Sequence, residues 1–94
     1  MTYSLDFDKR ALKEWKRLDR GIQDQFKKKL EERLINPIIT SSKISGTENC
    51  YKIKLRSIGY RLVYQVIDDE VVVLILTVGK RERNAVYKVA LNRV

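Results

Sequence analysis

Histidine is absent from the chain, so the side chain that ordinarily moves protons near neutral pH is missing. Cysteine occurs once, at Cys50, which excludes an internal disulfide and points to a reducing compartment. One cysteine without histidine also leaves no zinc-type cluster. The scattered carboxylates suit Mg²⁺ at best, so neither a metal nor another cofactor is expected. Long apolar runs are lacking too. The longest, Val71 to Leu76, falls far short of the roughly 20 residues that span a bilayer. The opening Met1-Thr2-Tyr3-Ser4-Leu5-Asp6 runs straight into charge instead of a signal-peptide pattern. A soluble, cytoplasmic protein with no membrane partner is expected. Acidic residues are the minority, 12 Asp and Glu against 20 Lys and Arg, for a formal net charge of +8. That balance favours nucleic acid, an anionic membrane surface or an acidic protein as partner.

What is present is organised. With 94 residues the chain has the size of one domain, residues 1–94, with one modest core. Residues 2–7 have strand spacing, with Tyr3, Leu5 and Phe7 on one face. Asp8 is a good N-cap, and Ala11, Leu12, Trp15 and Leu18 predict a helix over 9–19. Gly21 breaks that pattern. Ile22, Phe26, Leu30 and Leu34 define a second amphipathic helix over 22–35, ended by Pro37. Trp15 and Phe26 are packing residues, and Lys27-Lys28-Lys29 is the wet face of the second helix. A Ser-, Thr-, Asn- and Gly-rich stretch, Asn36 to Asn49, is the longest loop. Three strands follow over 50–56, 60–67 and 71–78, joined by short connections as an antiparallel meander. Val71 to Leu76 is apolar without alternation, as in a strand covered on both faces. A last helix over 82–92 is placed to cover part of the face opposite the helical hairpin. The fold class is therefore α+β, a single β-α-α-β-β-β-α domain with a mostly antiparallel sheet.

The chemistry lies in Tyr51-Lys52-Ile53-Lys54-Leu55-Arg56, where apolar and cationic residues alternate. Alternation puts Lys52, Lys54 and Arg56 on one strand face. A two-residue turn at Ile58-Gly59 sets Arg56 opposite Arg61, Lys54 opposite Val63 and Lys52 opposite Gln65. A three-residue loop with a bulge at Gly59 moves Arg61 off that face. Gly79-Lys80-Arg81-Glu82-Arg83 closes the strand region, and Tyr87 follows one to two helical turns beyond Arg81. RNA cleavage by its own 2′-hydroxyl needs a base, charge stabilisation at the phosphate and an acid at the leaving oxygen. A lysine serves as base when neighbouring positive charge disfavours its ammonium form. Lys52 and Lys54 meet that condition, Arg61 suits a phosphate clamp, and Tyr87 suits base stacking. The same pattern also fits plainer roles. Lys52, Lys54 and Arg56 fit a solvated strand face, Arg81 and Arg83 fit loop-exit charges at a helix start, and Tyr87 fits a core ring with its hydroxyl at the rim. Cys50 fits an inert residue at a strand start.

The order Leu5-Asp6-Phe7-Asp8, Ala11-Leu12-Lys13-Glu14-Trp15, Cys50 to Arg56, Gly59-Tyr60-Arg61-Leu62-Val63-Tyr64-Gln65-Val66, Val78 to Arg83 and Tyr87 resembles the RelE toxins of bacterial type II toxin–antitoxin systems, essentially end to end. The resemblance implies the RelE/ParE-like fold and a metal-independent, ribosome-dependent endoribonuclease. Such an enzyme cuts mRNA in the A site of the 70S ribosome by 2′-hydroxyl attack and so inhibits translation. It implies Lys52 and Lys54 as base and phosphate-stabilising lysines, Arg61 as the transition-state arginine, Arg81 as the leaving-group acid and Tyr87 as the base-stacking residue. Lys43, Arg56, Lys80 and Arg83 are then RNA- or ribosome-binding. It also implies a RelB-like antitoxin as cognate partner and operator DNA bound only through the antitoxin complex. One position departs from the family pattern. Ser45 precedes Gly46 where relatives often carry arginine, and Lys43 is the nearby cation. Two other readings of the chain are a ParE-like non-enzymatic toxin acting on DNA gyrase and a basic RNA-binding module without cleavage.

Overall fold

The computed structural model describes residues 2–80 and 85–94. Its elements run β1 (Ser4–Phe7), α1 (Lys9–Lys16), α2 (Arg20–Ile35), β2 (Cys50–Leu55), β3 (Tyr60–Ile67), β4 (Val72–Lys80) and α3 (Ala85–Arg93), with single 3-10 turns at Thr40–Ser42 and Asp68–Glu70. This is the expected β-α-α-β-β-β-α order. The sheet order is β1-β4-β3-β2. β1 lies parallel to β4, and the other neighbours are antiparallel.

The apolar spacing read from the sequence decides which face each element buries. Ala11 and Trp15 of α1 and Phe26 and Leu30 of α2 pack on Tyr51, Ile53, Leu62, Tyr64, Val73 and Ile75. Trp15 sits between Phe7 and Phe26, with ring centroids 5.6 and 6.2 Å away. The opposite face is smaller. There Val86 and Ala90 of α3 meet Ile44, Cys50, Val63 and Leu76. β4 is thus covered on both sides, as its uniformly apolar sequence requires. Asp8 caps α1 by accepting from the Arg10 amide at 2.9 Å. The Arg10 guanidinium bonded to the same carboxyl holds Asp8 below the usual carboxylate range.

Three local readings change. α1 ends at Lys16, and Gly21 lies inside the first turn and a half of α2 instead of breaking the pattern. The β2–β3 turn is neither of the two forms weighed above. Leu55 pairs with Tyr60, so Arg56, Ser57, Ile58 and Gly59 all lie in the connection. Leu55 carbonyl accepts from the Ile58 and Gly59 amides at 3.3 and 2.9 Å, and Gly59 takes φ +69°, which favours glycine. Lys54 therefore faces Arg61 and Lys52 faces Val63. The slip from the expected register is two residues. An even slip preserves faces, so Lys52, Lys54 and Arg61 still share one side. Arg56 leaves the strand. In β4 the register steps from Val63↔Thr77 to Tyr64↔Ile75, which makes Leu76 a bulge. The bulge lets Ile75 and Val78 both reach the helical-hairpin core while Leu76 turns to α3.

Candidate active site

α3 packs on β3 and β4. Lys52 and Lys54 of β2 and Arg61 of β3 stand half-buried on the same face of the sheet. Arg61 Nη1 donates to the Tyr87 hydroxyl at 2.9 Å, with its guanidinium carbon 5.3 Å from the ring centroid. Lys52 Nζ lies 5.8 Å from the same centroid. Lys54 is directly across the ladder from Arg61. Three helical residues separate the buried Val86 from Ala90, so Tyr87 is held at the rim, half-buried, with its ring against the small core and its hydroxyl on Arg61. The rim placement and the site placement are the same placement.

Three depressions meet at these lysines. One of about 240 Å³ is lined by Lys54, Leu55, Arg56, Gly59, Tyr60 and Arg61. A second of about 300 Å³ lies between the loop and α3 and is lined by Ile44, Ser45, Lys52, Tyr87, Lys88 and Leu91. A third of about 380 Å³ follows the outer edge of β2, with Lys29, Arg33, Ser41, Ser42, Lys52, Ile53, Lys54 and Arg56. Among the described residues no carboxylate lines any of the three. A run of cations without an interleaved acid is costly alone and is relieved by a polyanion. Among the described residues no cluster of three or more His, Cys, Asp or Glu side chains forms a metal site.

Of the sequence-predicted residues, Lys52, Lys54, Arg61 and Tyr87 come together. Arg56 joins them from the turn. Lys43 is exposed, forms an isolated bridge with Tyr51, and lies next to the second depression without lining it. Lys80 is exposed at the end of β4, one residue past Gly79, which pairs with Arg61. Arg81 and Arg83 lie outside the described residues. Cys50 is buried, and burial pushes its thiol up, away from nucleophile behaviour.

Arg33 and Lys88 are cations of the site that the sequence reading did not single out, and Lys29, read there as wet helix surface, joins them. Arg33 is the informative one. It donates to Tyr64 Oη at 2.9 Å, to the Lys52 carbonyl at 3.3 Å and to Ser42 Oγ at 3.2 Å. Tyr64 Oη in turn donates to the Pro37 carbonyl at 2.7 Å, and its ring stacks on Tyr51. Burial raises the Tyr64 hydroxyl above its ordinary value, so it remains a donor. This network ties α2 and the long loop to the strand that carries Lys52. Tyr64→Phe strands the Pro37 carbonyl and one Arg33 donor in a buried place. It is expected to cost about 1–3 kcal/mol, measured by thermal or urea unfolding.

Comparisons with known proteins find relatives along the whole chain. The family model described as ParE toxin of type II toxin-antitoxin system, parDE, matches residues 5–85. The mRNA interferase toxin RelE of Escherichia coli K12 is 58% identical over 94 residues, covering 100% of this chain and 99% of that protein. A solved structure of E. coli toxin RelE, an R81A/R83A mutant in the free state, superposes with TM-score 0.92 at 56% identity, covering 100% of this chain and 99% of the other. In the intact E. coli RelBE toxin–antitoxin complex the matching chain gives TM-score 0.83 at 60% identity over 86% of this chain and 99% of that one.

Proposed function

The chain belongs to the ParE toxin family of type II toxin–antitoxin systems, and we propose that it is the mRNA interferase of such a system. In this reading it enters the A site of the 70S ribosome and cuts the exposed codon. The observation that carries the reading is the cationic face built by Lys52, Lys54 and Arg61 with the Tyr87 ring beside them. The 58% identity to an mRNA interferase agrees with it.

The chemistry needs no metal. The ribose 2′-oxygen attacks the adjacent phosphorus, the bond to the 5′-oxygen breaks, and a 2′,3′-cyclic phosphate and a 5′-hydroxyl remain. Lys52 and Lys54 divide two tasks, taking the 2′-hydroxyl proton and balancing charge on the crowded phosphorus. Arg61 spends one donor on Tyr87 and keeps the rest of its guanidinium for the non-bridging oxygens. Arg81, two residues after Gly79, protonates the departing 5′-oxygen. Tyr87 stacks on a base. Arg56, Lys80, Arg83 and Lys43 contact the RNA or ribosome backbone. The partner is a RelB-like antitoxin, as in the E. coli RelBE complex, whose acidic and apolar segments would neutralise the cationic face. The antitoxin complex, and not this chain alone, would contact operator DNA. The protein would act in the cytoplasm, and no described helix is long and apolar enough to cross a membrane.

The family model takes its name from ParE toxins, so gyrase is the rival target. Primer extension on translated mRNA after induction separates the two. Cuts within codons of translated messages are expected. Gyrase-linked DNA breaks with intact mRNA would overturn the assignment.

A further inference from the structure

β1 is shorter than β4, and the mismatch leaves a gap that two side chains fill. Pairing of the two strands ends at Phe7↔Ile75, where the Asp8 amide takes the Ile75 carbonyl at 2.9 Å. From Leu76 onward, that edge of β4 has no strand beside it. Arg93, in the last turn of α3, donates to the Leu76 carbonyl at 2.8 Å. Glu14 of α1 accepts from Thr77 Oγ1 at 2.8 Å and from the Val78 amide at 3.4 Å. The two side chains then pair with each other, Nη1 to Oε1 at 3.0 Å and Nη2 to Oε2 at 3.2 Å. The pair is two-pronged and well shielded, with side-chain exposures of 11% for Arg93 and 29% for Glu14. It supplies the acceptor and the donor that a longer β1 would have supplied.

The pair also joins α1 to the end of α3 from the far side of the sheet. α3 needs such a tether. It has nine residues, fewer than the roughly 12–15 at which isolated helices become stable. Its described buried anchors are only Val86 and Ala90, while Leu91 and Val94 are exposed. Tyr87 is in its first turn and Arg93 in its last, about 9 Å apart along the axis. Fixing one end of so short a rigid rod fixes the other.

We propose that Glu14 and Arg93 are positioning residues, a latch that sets the seat of α3 and thereby holds Tyr87 against Arg61 in the geometry that cleavage uses. The latch touches no substrate, and it rests on the assignment of Tyr87 to the active site made above. Its removal acts on the chemical step and spares ribosome binding, because of the described cations that line the depressions only Lys88 stands on α3, and the others stand on α2, β2, β3 and the β2–β3 turn.

The test is a double-mutant cycle on full-length protein under single-turnover conditions on programmed 70S ribosomes. Glu14→Gln keeps the side chain's shape and one acceptor for Thr77, but removes the charge. It is expected to lower the maximal cleavage rate roughly tenfold, within the range of about 2- to 30-fold that residues without ligand contact exert on a coupled site. The half-saturating ribosome concentration stays within about twofold, the pattern of an interaction realised only in the transition state. In a Tyr87→Ala background the same substitution changes the rate less than about twofold, because its effect passes through Tyr87. Arg93→Lys keeps the charge but loses the two-pronged fit, and gives the same non-additive pattern with a smaller effect. It carries the test if Glu14→Gln fails to fold at the assay temperature. Full activity in either folded variant, or full additivity with Tyr87→Ala, overturns the latch and leaves the active-site assignment standing. Full activity in Tyr87→Ala itself overturns that assignment, and the latch with it.

Discussion

Arg61→Ala is expected to lower the single-turnover cleavage rate by on the order of 10²–10³, the usual effect of removing one charge-stabilising donor from a preorganised site. Lys52→Ala and Lys54→Ala are expected to fall by at least as much, since each removes either the base or the cation that offsets charge at phosphorus. The losses belong to chemistry and not to folding. All three side chains stand on a sheet face or rim and are only half-buried, so their truncation opens no cavity in either core. Arg61→Ala does free the Tyr87 hydroxyl, but at the rim water replaces the lost donor. Lysine at position 61 should not restore the rate, because it lacks the planar fork that reaches Tyr87 and phosphate together. Lys13→Ala, an exposed cation of α1 outside all three depressions, should stay within about twofold of the parent. Equal losses in Lys13→Ala and Arg61→Ala would reduce the site to general charge.

The largest stability effect is expected at Phe26. Its side chain is 0% exposed and its ring sits 6.2 Å from Trp15. No other described residue of α2 except Leu30 is buried in that core. Phe26→Ala leaves a void where α2 meets the sheet, which costs about 3–5 kcal/mol. A domain of this size has roughly 5–15 kcal/mol to lose, and the thermal midpoint should fall on the order of 20 °C. The cavity lies on the sheet face opposite Lys52, Lys54 and Arg61. Below its lowered midpoint the variant should therefore cleave at nearly the parental rate. A fall of less than about 1 kcal/mol, measured by urea unfolding, would mean that α2 is not seated as described. Phe26→Ala and Arg61→Ala thus separate the two faces of one sheet, one by stability and the other by rate.

How far the sequence carried the structure depends on what each signal encodes. The alternation from Tyr51 to Arg56 encodes face, and the faces of Lys52, Lys54 and Arg61 came out as read. It does not encode register, because a slip of two residues leaves every side chain on the same side. The four-residue connection Arg56–Gly59 was invisible for that reason, and so was the loss of Arg56 from the strand. The bulge at Leu76 was hidden differently. Val71 to Leu76 has no polar position whose displacement would mark an inserted residue. Gly21 misled because glycine weakens a helix by only about 1 kcal/mol, less than the packing that Ile22, Phe26 and Leu30 return. Arg33 and the Glu14–Arg93 pair were illegible because their partners are distant in sequence. Residues 42, 52 and 64 meet at Arg33, and residues 14, 76 and 93 meet at the open edge of β4. Pro37 and Asp8 act locally, and both were read correctly.

The central claim is that this cationic face cuts mRNA held by the ribosome. Single-turnover cleavage of one end-labelled mRNA, measured free in solution and bound in the A site of programmed 70S ribosomes, tests it most directly. The account predicts a fast cut within the A-site codon that leaves a 2′,3′-cyclic phosphate, little cleavage of the free RNA, and loss of the ribosomal cut in Lys52→Ala and Lys54→Ala. Equal cleavage of free and bound RNA, or an undiminished cut in both lysine variants, would contradict it.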